Sequence, residues 1–338
     1  MTGDAVRPEA ILRELHSLWT SLGGQVDGEH SAGVLRACAM TLIVVTEEAE
    51  PRDDIGETLA ETIREHPFRA IVLRLRDSAE PFLDAKVSAQ CWLPLGQRRQ
   101  ICSEQIEIAA SATSLPHVPA LLLPLAAPDL PVVVWCRGER LFRLPGVQPL
   151  ASLCDKLIID SECFSDTGEA LAGLRAASAE RSVGDFAWAR LTRWREILAQ
   201  VFQSPSCRER RNEISDLRVH YSGRAISIGA YYLAAWLSLA LGWRDPERAV
   251  RFEAAPYANS GNLRRVSFTT ANGAVSIEKQ SERELIADVN GLIQRTVLPP
   301  RTDAGVLGEE LSIVGRDPVF ERVLPAAERI ARSRGHGS

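Results

Sequence analysis

Apolar residues recur along this chain in two rhythms, and the switches between them mark out its elements. Ile11, Leu12, Leu15, Leu18, Trp19 and Leu22 fall on one helical stripe, which predicts an amphipathic helix over 8–22. The apolar run from Val34 to Val45 (VLRACAMTLIVV) reads as a strand buried on both faces. Asp54 with Glu57 three residues on resembles a capping box, opening a helix that stops at His66-Pro67. RAIVLRL (69–75) is a second buried strand. Strand, helix and strand in that order predict a right-handed crossover and a parallel pair.

The rhythm then changes to a period of two. Val87, Ala89, Cys91 and Leu93 alternate with Lys86, Ser88, Gln90 and Trp92, and after a turn containing Gly96 the alternation resumes from Cys102 to Ile108. That is a hairpin, so the sheet is expected to be mixed. A proline-punctuated helix over about 113–126, the strand PVVVWCRG (131–138), a short helix near 147–155 and the strand KLIID (156–160) follow. The fold class read from this order is α/β. Residues 1–165 form an N-terminal mixed-sheet three-layer α/β domain, and residues 166–338 an α+β domain with an antiparallel meander.

In the second part, an Ala/Leu-rich helix over 167–179 leads to a helix opening at Thr192, whose Trp194, Ile197, Leu198, Val201 and Phe202 share one stripe. LRVHY (217–221) is a strand, and alternating segments near 249–256, 264–269 and 274–279 supply the meander, with Asn272-Gly273 as a hairpin turn. A helical tail covers 304–332, broken around Gly315–Pro318, and no internal repeat is present.

Ala225 to Trp243 runs nineteen residues without a charge, close to the ~20 that span a bilayer. Much of it is Ala, Ser, Gly and Tyr, which contribute little to insertion, so the segment reads as a helix buried inside a domain.

Composition narrows the function. The net charge of −5 provides no global positive field for nucleic acid or an anionic membrane. The seven cysteines include no CxxC pair and no zinc spacing, and Cys91 and Cys136 lie in apolar runs where a thiol packs as a small hydrophobe. With an N-terminus that lacks the layout of a signal peptide, this predicts a reduced, cytoplasmic protein. The six histidines fall in separate segments, and no dinucleotide fingerprint, P-loop, nucleophile elbow or HExxH is present. No catalytic, cofactor-binding or metal-binding set is therefore predicted.

Ligands of open α/β sheets bind outside the carboxyl ends of the strands. Those ends carry Trp135, Arg137, Asp160 and Ser161 here. Arg137 and Asp160 could hold a polar ligand, such as a sugar phosphate or nucleotide, or pair with each other. Glu104 shares an apolar strand face with Cys102, Ile106 and Ile108 and needs a partner, for which Arg137 is one candidate. These five residues form a candidate crevice.

Seven segments in series resemble one family: HPFRAIVL (66–73), CSEQIEIAA (102–110), LLLPLAAPDLPVVVWCRG (121–138), DKLIIDS (155–161), GDFAWARLTRWREILAQVF (184–202), LAAWLSLALGW (233–243) and EELSIVGRDPVFERVL (309–324). Their order and spacing resemble the glucose-6-phosphate dehydrogenase assembly protein family, often called OpcA, over residues 31–325. Where that family shows two tryptophans before Arg-Gly, this chain has Trp135-Cys136. The resemblance implies a non-catalytic role: binding glucose-6-phosphate dehydrogenase and promoting its assembly and activity in the oxidative pentose phosphate pathway. It brings no catalytic residues with it.

A partner-binding surface is expected in GDFAWARLTRWR (184–195), since Trp and Arg are the residues most enriched at binding hot spots. Trp194 falls on the buried stripe. Trp188 lies before the helix as a candidate contact residue, and Arg190, Arg193 and Arg195 form a candidate contact edge, Arg193 and Arg195 lying off that stripe.

Overall fold

A computed structural model describes residues 6–24, 34–48, 55–93, 100–144, 147–203, 213–243, 250–255, 263–270, 273–299 and 301–335. The chain divides into two compact units. The first comprises 1–160 with 181–184 and 302–315; the second comprises 161–180 with 185–301 and 316–338.

The first unit is built on a sheet of β1 (Val34–Arg36), β2 (Met40–Glu47), β3 (Phe68–Arg76), β4 (Leu83–Trp92), β5 (Gln100–Ser111), β6 (Val132–Cys136), β7 (Lys156–Ile159) and β8 (Ser182–Asp185). Its order is β1-β5-β3-β2-β6-β7-β8, with β4 added antiparallel to β5. The ladders β5/β3, β3/β2, β2/β6 and β6/β7 are parallel. The strand order reverses between β2 and β6, as in doubly wound folds. The α/β class and the mixed sheet are both as the periodicity predicts. The single strand read over Val34–Val45 is two: Val34–Arg36 pairs with β5 and is largely exposed, while Met40 to Thr46 are buried at every position, as a strand covered on both faces requires. The helix Pro8–Gly24 buries Ile11 and Leu15, while Leu12 leaves the predicted stripe and is exposed. Asp54 of the proposed capping box lies outside the described residues; the helix that follows is Ile55–Thr62.

The second unit carries β9 (Ser215–Tyr221), β10 (Val250–Ala254), β11 (Leu263–Thr270), β12 (Gly273–Ser281), β13 (Glu284–Val289) and β14 (Leu292–Val297). The sheet order is β10-β9-β11-β12-β13-β14; β10 and β9 are parallel and the other ladders antiparallel. The meander is therefore longer than the sequence reading, which stops at 279. Asn290 and Gly291, at φ 54° and 85°, make the turn that adds its last strand. Asn272, placed in a hairpin turn from the sequence, lies outside the described residues. Helix Ile228–Leu241 is buried nearly all round, capped by Ser227 at its start and closed by left-handed Gly242 (φ 71°). Among the described residues no helix is long and apolar enough to cross a membrane.

One expectation is overturned in the first unit. Cys91, read as a reduced thiol packed in an apolar run, is joined to Cys102 in a disulfide. Antiparallel pairing sets them directly opposite across β4 and β5, a juxtaposition that no local cysteine motif announces. Burial pushes the Cys136 thiol up to about 12 and the Cys154 thiol up to about 11, whereas Cys163 is exposed. Alkylation of the native protein at pH 8 followed by peptide mapping is expected to label Cys163, to spare Cys136 and Cys154, and to recover Cys91 and Cys102 as one linked pair. Full labelling of Cys91 without reductant would contradict this.

Candidate functional site

The segment from Gly184 to Arg195 is organised by one buried carboxylate. Asp185 is fully buried in the second unit. Its Oδ1 accepts from the backbone N–H of Ser161 (3.0 Å) and of Ala187 (3.0 Å), and its Oδ2 from the Ser161 hydroxyl (2.5 Å) and the Tyr232 hydroxyl (2.7 Å). The bond from Ala187 makes Asp185 the N-cap of the short helix Phe186–Ala189. That helix holds Trp188, which the sequence reading set ahead of the helix opening at Thr192 as a candidate contact residue.

Trp188 is core, not contact. It is buried, donates from Nε1 to Asp317 (3.0 Å), and packs on Phe320 (5.5 Å) and edge-on to Tyr232 (6.1 Å). Asp317 in turn accepts from the N–H groups of Val319 and Phe320, fixing the start of helix Phe320–Gly335. A carboxylate next to Pro318 and ahead of an apolar run is a helix-start signal that the sequence carried. Trp194 is buried, as its stripe predicts.

The three arginines separate into different roles. The Arg190 guanidinium pairs with Glu162 (3.1 Å) and lies over Phe186, while its carbonyl accepts from Arg301 (2.6 Å). Arg195 lies over the Trp188 ring at 3.7 Å and donates to the Thr192 hydroxyl. Arg193 is 52% exposed and pairs within its own helix turn with Glu196 (2.6 Å). Of the four candidate partner-binding residues, Arg193 is the one whose charged group stands out from the surface of the unit.

The candidate crevice does not assemble. Glu104 is buried, but its partners are Arg69 (2.5 Å), Arg36 (2.7 Å) and the Trp19 indole (2.6 Å). Arg69 lies on the neighbouring strand in nearly matching register, since Ala70 pairs with Gln105. Arg137 is three strands across, from β5 to β6, and level with Arg74 rather than Arg69. That displacement is about 17 Å along the strands. Trp135 is a core residue with the Arg137 guanidinium at 5.2 Å from its ring centroid. Arg137 and Asp160 do extend side by side, one residue beyond the paired Cys136 and Ile159. Ser161 points elsewhere, its hydroxyl being spent on Asp185.

A cavity of about 450 Å³ does open at the carboxyl ends of β2 and β3 in the first unit. Glu47, Glu48, Arg76, Asp77 and Arg140 line it over an apolar wall that includes Leu75 and Leu141. Glu47 pairs with Arg140 (3.1 Å) and Glu48 with Arg76. In doubly wound sheets this is where a dinucleotide would lie, its pyrophosphate cradled by a glycine-rich turn. Here the first strand ends in Thr46-Glu47-Glu48, and no glycine follows until Gly56. The segment thus lacks the glycine-rich turn that lets backbone N–H groups approach a pyrophosphate, and the two arginines of the cavity are already paired with Glu47 and Glu48, so the residues do not fit a dinucleotide.

A second buried ion pair shapes the same unit. Lys156, at the start of β7, reaches Glu310 (2.7 Å) and donates to the carbonyls of Glu310 (2.6 Å) and Ile313 (2.8 Å). The sequence reading missed it because Lys156 opens a strand that is otherwise apolar. Among the described residues no group of three or more His, Cys, Asp or Glu side chains could hold a metal ion.

The chain matches two family models in succession, both described as parts of a glucose-6-phosphate dehydrogenase subunit. The model of the N-terminal domain covers residues 60–176, and the model of the C-terminal domain covers residues 181–324. The chain is 25% identical over 264 residues to a Synechocystis protein carrying the name OxPP cycle protein OpcA, covering 76% of this chain and 50% of that one. A protein of the same name from Synechococcus elongatus is 28% identical over 220 residues, covering 64% and 47%. The chain thus spans about half the length of the curated relatives it matches. Among solved structures, UDP-N-acetylglucosamine 3-dehydrogenase from Acidithiobacillus ferrooxidans is 10% identical with a TM-score of 0.45, covering 87% of this chain and 97% of that one. That likeness is too distant to bear on activity. The two successive models and the named relatives agree with the seven segments read from the sequence: the chain belongs to the OpcA family of glucose-6-phosphate dehydrogenase assembly proteins.

Proposed function

We propose that this chain is a non-catalytic, cytoplasmic assembly factor and allosteric activator of glucose-6-phosphate dehydrogenase, acting by protein–protein binding. The observation that carries this reading is the pair of family models, both named for the same dehydrogenase. Such a partner works by binding one conformation or assembly state of the enzyme more tightly and shifting the population toward it. A nearly complete shift needs differential binding on the order of 5 kcal/mol. That calls for an interface above ~1,000 Å² with buried anchors.

Within the second unit, Arg193 is the best-placed contact. Arg193→Glu is expected to weaken activation of the dehydrogenase about tenfold in apparent affinity, with unchanged melting. Arg195→Glu is expected to lower the melting temperature as well, because it removes the cation from the Trp188 ring, a contact of about 1 kcal/mol. Titrating the dehydrogenase with each variant and recording thermal melts separates the two; unchanged activation by Arg193→Glu would move the interface elsewhere.

A second reading, a small-molecule enzyme or sensor, has one observation behind it: the strand-end cavity at Glu47, Asp77 and Arg140. A ligand held there would raise the melting temperature in proportion to its binding. Sugar phosphates and nucleotides that all leave the melt unmoved would remove this reading.

A further inference from the structure

Among the described residues the sheet of the second unit ends on β14, which pairs with β13. Three of its six residues are large apolar side chains in water: Leu292 is 77%, Ile293 66% and Val297 80% exposed. Natural edge strands are usually blunted by charges, prolines or bulges. β14 has no proline, its ladder with β13 has no register shift, and its one charge, Arg295, pairs with Glu284 at 3.3 Å.

The Asn290-Gly291 turn fixes which backbone groups are spoken for. In a two-residue hairpin the closing pair, here Val289 and Leu292, exchanges hydrogen bonds. Leu292, Gln294 and Thr296 therefore bond to β13, and Leu298 continues the alternation by donating to the Arg283 carbonyl (2.8 Å). Ile293, Arg295 and Val297 turn their N–H and C=O groups outward. That set is symmetric about Arg295. An antiparallel strand of the same sequence, set with Arg295 opposite its own copy, places Ile293 opposite Val297 at both ends and Gln294 opposite Thr296. It satisfies every outward backbone group of the three residues. The axis then gathers two arginines and two glutamates, a neutral cluster.

We infer that β14 is a self-pairing edge: a second copy of this chain adds its own β14 antiparallel about a two-fold axis at Arg295, joining two six-stranded sheets into one. An unrelated strand would satisfy the backbone, but a second copy also repeats the apolar spacing, and its Arg295 arrives already paired with its own Glu284. The ladder is only about 20 Å long, and a single strand-to-strand seam of that length buries less than the ~1,000 Å² of a tight interface, so the dimer is concentration-dependent.

Sedimentation velocity of the full chain from 1 to 100 μM tests this. The wild type is expected to pass from monomer to dimer with a midpoint in the micromolar range. Arg295→Pro removes one outward N–H and none of those bonded to β13, and Val297→Lys places a charge opposite Ile293; both are expected to remain monomeric throughout. Val297→Lys alters a side chain already in water, so it decides the matter if Arg295→Pro disturbs the hairpin. A wild type still monomeric at 100 μM, assembly beyond a dimer, or a dimer that survives Val297→Lys overturns the inference.

Discussion

Asp185→Ala is expected to cost the second unit about 4–6 kcal/mol, because four buried donors lose their acceptor at once and each stranded donor costs about 1–3 kcal/mol, less some relaxation. For a unit of this size that corresponds to a fall of roughly 10–20 °C in melting temperature. The donors are the N–H and hydroxyl of Ser161, the N–H of Ala187 and the hydroxyl of Tyr232. They belong to the entry to one helix, the start of another and the middle of the buried helix Ile228–Leu241. Asp185→Asn keeps an oxygen on the Ser161 and Ala187 amides and asks the two hydroxyls only to rotate, so it should cost about half as much. Thermal melts of the three proteins check the order; an alanine variant as stable as the asparagine variant would mean that the carboxylate is not the hub.

The second large effect lies in the first unit. Lys156→Ala is expected to cost about 3–5 kcal/mol, the usual penalty for leaving one member of a buried ion pair behind. Glu310 would keep its carboxylate in a buried site, and the carbonyls of Glu310 and Ile313 would lose their donor. Gly184→Ala should act on the same pair from the other side. A Cβ there would collide with the Glu310 carboxylate and stand 2.7 Å from Lys156 Cε. Either the pair shifts or the strand does, at about 1–3 kcal/mol. Urea denaturation measures both. The two costs should not add, since the Lys156→Ala variant removes one of the atoms that the new methyl meets.

These residues show what was and was not legible beforehand. The central strands Met40–Glu47 and Phe68–Arg76 were, because their middles are unbroken apolar runs, whereas the single strand read over Val34–Val45 is in fact two, the exposed Val34–Arg36 beside β5 and the buried Met40–Glu47. The fit of Trp194 into the core was also legible from its stripe. Trp188 was not: its helix is only Phe186–Ala189, too short for any period to register, and its burial depends on Tyr232, Asp317 and Phe320, which are distant in sequence. β14 escaped for the opposite reason. Its residues are exposed on both faces, so no alternation marks it as a strand. The Cys91–Cys102 bond and the Glu104–Arg69 pair depend on strand register, which a list of motifs does not contain. Family membership, by contrast, was legible because the order of segments is itself a pattern.

The proposed role requires that this chain raise the activity of a dehydrogenase without turning over its substrate. The direct measurement is the initial rate of the cognate glucose-6-phosphate dehydrogenase, titrated with this protein at fixed enzyme concentration, with the protein alone as control. A saturable rise in rate, no turnover by the protein alone, and co-elution of the two on gel filtration are expected. An unchanged rate with no co-elution at saturating concentration would contradict that role.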